Sequence, residues 1–197
     1  MSPAGLDALA RQLVAIQRGA RETVRKAAEV EALRAESTAK GLLGGARLTP
    51  RTGHLRRSVQ GRATIKSDVP TATLRAGGDR DDVRYARIHD VGGVITPKRG
   101  RFLAIPVGAA LTASGVPRYS SPRQVAGLRF IPTRGGRAGI LVRDVGGRNA
   151  RSEVLFRLVR QVRINATRYL SEPFDTLRER LPLAIRAAFT HAMVPRE

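Results

Sequence analysis

The residues best suited to chemistry in this chain are three histidines, His54, His89 and His191, and the acidic run Asp79, Asp81 and Asp82. His89 precedes Asp90, and a histidine beside a carboxylate is a natural acid/base pair near neutral pH. Adjacent residues on a helix do not face each other, so the pair reads instead as a helix-terminal histidine beside a solvated aspartate. The acidic run lacks the roughly twelve-residue spacing and the closing glutamate of a calcium loop, and reads as a turn. The histidines are far apart in sequence and are not expected to share a metal. Gly135-Gly136 and Gly139 fit no phosphate cradle, and Ser58 and Ser120-Ser121 stand outside a nucleophile elbow. With no cysteine, a thiolate nucleophile, a cysteine metal site and a disulfide framework are excluded. The expectation is a protein that is not an enzyme, with no catalytic residues, no cofactor and no metal.

What does stand out is charge. The chain has 197 residues and a net charge of +20, and its basic residues are nearly all arginine. Such a balance attracts polyanions, and arginine suits bidentate contact with phosphate. The charge is regional. Residues 1–40 carry seven basic and five acidic side chains and 171–197 carry four of each, so the excess lies between them. Residues 97–151 hold eleven basic side chains against Asp144 alone. Arg99, Arg101, Arg118, Arg123, Arg129, Arg134 and Arg137 are therefore the candidate contacts to DNA or to an acidic partner.

The elements that must position these residues follow from periodicity. Residues 5–34 read as an amphipathic helix with Leu6, Leu9, Leu13, Ile16, Ala20, Ala27 and Val30 on one stripe, continuing towards Lys40 and stopped by Gly41 and Gly44-Gly45. Two strands are expected at 58–66 and 71–76, joined by a turn over Ser67–Pro70, with Val59, Ala63 and Ile65 on one face of the first and Ala72 and Leu74 on one face of the second. A short helix follows at 82–90, with Val83, Ala86 and Ile88 inward and Arg87 able to join them, then strands at 93–96, 101–105 and 139–145. Residues 153–164 read as one strand with Val154, Phe156, Leu158, Val162 and Ile164 on one face. From Ser171 a second amphipathic helix carries Leu177, Leu181, Ile185, Ala188 and Ala192, and Pro182 is expected to kink or restart it.

Between Pro106 and Gly136 the prolines, glycines and serines read as a long loop that orders against partners. If so, 110–135 is dispensable for folding. The expected class is α+β: a single antiparallel β-sheet packed by N- and C-terminal amphipathic helices, with a long Arg/Gly/Pro-rich loop insertion. It is expected to be one domain over 1–197, with the first helix in 1–40, the loop at 107–137 and the last helix at 171–194. The N-terminus lacks an apolar signal core, and no apolar run approaches the roughly 18 residues of a membrane span, so no membrane partner is expected. The absence of cysteine fits assembly in a reducing cytoplasm.

Three stretches in order carry a resemblance: TPRTGHLRRSV (Thr49–Val59), YARIHDVGGVITPKRGRFLAIP (Tyr85–Pro106) and VLFRLVRQVRINATRYL (Val154–Leu170), followed by a terminal helix. This order resembles the tailed-phage virion-morphogenesis and tail-completion family, which includes the Mu-like G proteins and related head–tail joining proteins. The chain has Ala166-Thr167-Arg168-Tyr169 where that family tends to have an Arg-Pro-Phe-type turn, and its 107–152 segment is longer.

The resemblance implies a virion protein at the head–tail neck or proximal tail: a homo-oligomeric ring that completes the tail and joins it to the head. Its partners would be the head–tail connector and the tail terminator or tail tube proteins. A tail terminator capping the tube is the nearest alternative, and a free basic nucleic-acid-binding protein is another. The arginines would face either genomic DNA in the channel, contacting phosphates without reading bases, or an acidic protein surface.

Overall fold

The computed structural model describes residues 3–77, 85–98, 100–133, 138–146 and 151–193, with backbone alone for 3–6, 8–10 and 193. Val83, Asp79, Asp81, Asp82, Gly135 and Gly136 lie outside the described residues, as do the side chains of Leu6 and Leu9 and the expected helix end at residue 194. The fold is α+β, with a long N-terminal and a C-terminal helix packed together and three small antiparallel sheets. The single sheet expected from sequence is thus corrected to one of four strands and two of two strands. The chain divides into two compact units, residues 1–90 with 167–197, and residues 91–166.

The first unit is built on α1 (Pro3–Gly41), 39 residues long. Alanine and long unbranched side chains favour it. One wider turn over Leu42–Ala46 follows, and it ends where Gly45 takes φ 119°, a conformation that suits glycine. The buried stripe differs from the expected one. Ala28, Ala32, Ala35, Ala39 and Leu43 are inside, while Leu13, Ile16 and Val30 are exposed. Alanines win because the partners come very close. A Cβ on Gly61 would stand 2.2 Å from the Ala32 carbonyl oxygen, so only glycine lets the strand rest on the helix there.

A short α2 (His54–Ser58) leads to the hairpin of β1 (Gln60–Lys66) and β2 (Val69–Arg75), to which Gly61 belongs. Its turn is Ser67-Asp68 alone, both at positive φ, the geometry that matches strand twist in a two-residue hairpin. The expected facing is seen: Ala63, Ile65, Ala72 and Leu74 are the more buried positions, alternating with exposed ones. Glu36 ties the hairpin to α1, accepting from the Gly61 N–H at 2.7 Å and from Lys40 Nζ at 2.5 Å. α4 (Ser171–Met193) packs on α1 through Leu177, and Arg180 reaches Glu31 at 3.2 Å. Of the kink or restart expected at Pro182, the restart does not occur: α4 runs continuously through it.

The second unit holds the four-stranded sheet, in the order β4 (Leu103–Pro106), β7 (Arg151–Val159), β6 (Gly139–Val145), β5 (Leu128–Pro132). The pair β3 (Gly93–Ile95) and β8 (Val162–Ile164) is separate. Two expectations fail here. The strand at 153–164 is broken at Arg160-Gln161 into β7 and β8. Within β7, Leu141 pairs with Phe156 but Val142 pairs with Val154, leaving Leu155 as the extra residue of a bulge. The bulge buries both Leu155 and Phe156, at 0% and 1% exposure, and turns Val154 outward at 38%. Strict alternation cannot anticipate that.

The second failure is the long loop. Residues 128–132 of it are a strand, and Ala110 and Val125 are buried against Leu155 and Phe156. Tyr119 and Leu128 pack on the same cluster. The stretch has short 3-10 turns at Gly108–Ala110 and Pro122–Gln124, and its backbone is bonded locally, as in Arg118 N–H to the Ala110 carbonyl at 2.9 Å. It covers one sheet face and forms part of the core.

Two outcomes follow. Deleting 110–135 removes β5, Ala110 and Val125, and is expected to abolish cooperative unfolding of the second unit, read as lost amide protection in β6 and β7 by hydrogen exchange; retained protection would restore the loop reading. The second concerns acid. Hydrogen bonds from Lys40 and from the Gly61 N–H hold the Glu36 carboxyl below the usual range. Its contribution is therefore complete above the unfolded value of about 4.3 and is lost as pH falls through the lower folded value. Glu36→Gln should flatten the fall in urea midpoint between about pH 6 and about pH 3; an unchanged slope would count against it.

Candidate functional site

In the first unit, several hydrogen bonds join α3 (Ala86–Val91) to residues 167–171. Asp90 is buried, not solvated as expected from sequence. One carboxylate oxygen accepts from the Leu170 N–H at 2.8 Å and the Ser171 N–H at 3.1 Å, and the other accepts from the Ser171 hydroxyl. The carboxylate thus caps the start of α4 from another part of the chain, where exposed N–H groups and the helix dipole favour negative charge. The rest of the first turn is also satisfied: Glu172 N–H donates to the Arg168 carbonyl at 3.2 Å, and Pro173 has no N–H to place.

The His89 carbonyl accepts from the Thr167 N–H at 2.9 Å and its hydroxyl at 2.6 Å, and the Asp90 carbonyl accepts from the Arg168 N–H at 3.0 Å. Arg168 adopts φ 52° to make this turn. Arg47 closes the outer side, donating to the Thr167 carbonyl at 2.8 Å and to both Glu172 oxygens at 2.7 and 3.1 Å. That guanidinium holds the Glu172 carboxyl below its ordinary range.

The buried Tyr169 hydroxyl donates to the Ala86 carbonyl at 3.2 Å. Burial, then the nearby Asp90 charge, pushes its pKa upward, so it stays a donor. The His89 ring stands edge-on to Tyr85, with centroids 5.7 Å apart. Its Nδ1 is buried without a partner, and burial depresses its pKa, so the neutral ring is favoured. The Asp90 carboxylate is thus bonded to the start of α4, and the His89 ring stands against Tyr85.

Of the seven arginines singled out from sequence, four fall among the described residues. Arg99, Arg134 and Arg137 lie outside the described residues. The other four are exposed and belong to the second unit. Arg101 precedes β4, and Arg118 and Arg123 lie on the stretch that covers one sheet face. Arg118 donates to the Leu111 carbonyl at 3.0 Å. Arg129 points from β5 to the opposite face, beside Asp144 at 3.4 Å and Ser152 at 3.5 Å. It is thus a cross-strand ion pair more than a free cation.

Another charged group, absent from the sequence reading, is Glu31. It is buried between Arg34 at 2.5 Å and Arg180 at 3.2 Å, beside a cleft of about 70 Å³ that Thr38, Pro173, Thr176 and Leu177 also line. That is far below the roughly 300–1,000 Å³ of a small-molecule site. Among the described residues no group of three His, Cys, Asp or Glu side chains is placed to hold a metal ion, and no helix is long and apolar enough to cross a membrane.

Comparison of the chain with protein-family models, with curated proteins and with solved structures gives no match.

The junction predicts a stability effect. Asp90→Ala leaves the first turn of α4 without its acceptor and should cost about 2–3 kcal/mol, against about 1 kcal/mol for Tyr169→Phe. Urea unfolding of both variants checks this, and equal, negligible losses would remove Asp90 from its assigned role.

Proposed function

We propose that this protein is a structural component of the tailed-phage neck, completing the head-proximal end of the tail and mediating head–tail joining. One observation carries the reading. The three stretches that bear the resemblance, far apart in sequence, meet in the first unit, and the second and third pair again in the second. Leu55 and Val59 from the first, Ala86 from the second and Tyr169 from the third form one buried cluster with Ala39 and Leu43. In the second unit, β3 and β4 of the second stretch pair with β8 and β7 of the third. The shared residues thus form a frame, which is what a resemblance in architecture requires.

The side chains with chemical potential point the same way. His89, Asp90 and Glu31 are engaged in packing, capping and ion pairing, which supports a role in assembly and not turnover. On this reading the protein acts as a homo-oligomeric ring in the virion, between the head–tail connector and the tail terminator or tube. It needs no cofactor. The exposed Arg101, Arg118 and Arg123 would give each copy positive charge to offer duplex phosphates or an acidic neighbour. A tail terminator position uses the same features. A free nucleic-acid-binding protein draws support from the +20 charge.

The deciding experiment is location. Virions or tail-like particles carrying a labelled copy of the protein are imaged by electron microscopy. A ring of copies at the head–tail junction is the expected outcome. Label confined to the distal tail, or particles without the protein, would overturn the neck reading.

A further inference from the structure

The β1–β2 hairpin sorts its side chains by chemistry. Successive residues of a strand point to opposite faces, and residues opposite each other across an antiparallel pair share a face. One face carries Ala63, Ile65, Ala72 and Leu74, and Gly61 on that side rests on the Ala32 carbonyl of α1. The other face carries Arg62, Lys66 and Arg75 with Thr64, Thr71 and Thr73 among them, all exposed. No carboxylate interrupts it. The one acid of the hairpin, Asp68, lies in the turn, 3.5 Å from Arg21. Arg75 donates to Gln60 Oε1 on the same face at 3.2 Å. Among the described residues neither Arg62 nor Lys66 has an acidic partner.

The register fixes how the cations are spaced. Arg75 is opposite Gln60 and Arg62 is opposite Thr73, so two cations stand at the base of the face. Thr64 and Thr71 are paired in the middle, and Lys66 stands near the turn, opposite Val69. Arg62 and Lys66 are four residues apart on one strand, a span of roughly 13 Å. The major groove of B-DNA is about 12 Å wide between its phosphate banks. Arginine, lysine, threonine and glutamine are also side chains that bond to phosphate and sugar in DNA complexes. A lipid surface would instead call for large apolar groups to insert, and Val69 is the only apolar side chain on this face.

We propose that the outer face of the β1–β2 hairpin is a binding surface for duplex DNA. It straddles the major groove, with Arg62 and Arg75 on the phosphates of one bank, Lys66 on those of the other, and the threonine hydroxyls over the groove between. Phosphate contacts carry no sequence information, so binding is tolerant of sequence and sensitive to salt. The inference goes beyond the neck reading and stands without it. DNA affinity of the purified chain tests the hairpin, and particle imaging tests the neck.

A short fluorescein-labelled duplex is titrated with the full chain at several salt concentrations and followed by anisotropy. Arg62→Gln, Lys66→Gln and Arg75→Gln combined are compared with Arg18→Gln, Arg178→Gln and Arg186→Gln combined, which remove the same charge from exposed helix positions of the same unit. Circular dichroism checks the fold of both. The hairpin variant should bind at least about tenfold more weakly. Its slope of log affinity against log salt should be shallower by about 2–3, while the helix variant stays close to the parent. On the unaltered chain, the duplex should protect Lys66 from an amine-reactive reagent. No affinity for the duplex, equal losses in the two variants, an unprotected Lys66, or polyglutamate competing as strongly as DNA charge for charge would each overturn the proposal.

Discussion

A single buried carboxylate organises the first unit. Asp90 joins the end of α3 to the start of α4, and through α4 to α1. Burying a charge is costly unless hydrogen bonds replace its water, and here three donors do so at the positive end of a helix. Its neighbours are set by the same arrangement. Thr167 and Arg168 must bond to the backbone of His89 and Asp90 for Leu170 and Ser171 to arrive, and Tyr169 is thereby directed into the core under Ala86. Arg47 then holds the same turn from outside. The segment from Thr167 to Leu170 is irregular in backbone, yet the N–H groups of Thr167, Arg168 and Leu170 all find acceptors in α3, which is the condition for packing a loop inside a protein.

Much of this was legible in the sequence because it rests on local rules. Both terminal helices, the hairpin facing and β6 follow from periodicity alone. What escaped was decided by proximity between distant residues. The inner stripe of α1 could not be chosen from sequence, since alanine is a weak hydrophobic signal until Gly61 brings a strand against it. The bulge at Leu155 exists because β6 and β7 fall out of step, which neither strand shows by itself. The 107–127 stretch reads as loop by composition, and only the cluster around Leu155 and Phe156 reveals it as core. Asp90 reads as solvated because the helix it caps begins some eighty residues later. The clue was present: α4 opens after Leu170, which has no side-chain acceptor to cap it.

The described arginines show how folding distributes a regional charge. Of the seven chosen for their density along the chain, Arg129 is paired with Asp144, and Arg118 braces a backbone carbonyl. A positive segment becomes a positive surface only if folding sends its side chains the same way. Here the strand and the stretch that covers the sheet send them to opposite faces.

The second unit leaves the first after Asp90 and returns at Thr167, and within it Gly93 is paired directly with Ile164. Its two ends are therefore neighbouring strands, about 4.8 Å apart. An insertion whose ends already touch asks little of its host, because the gap to be closed does not depend on the length between. The chain between those paired ends could therefore lengthen or shorten while β3 keeps its pairing with β8.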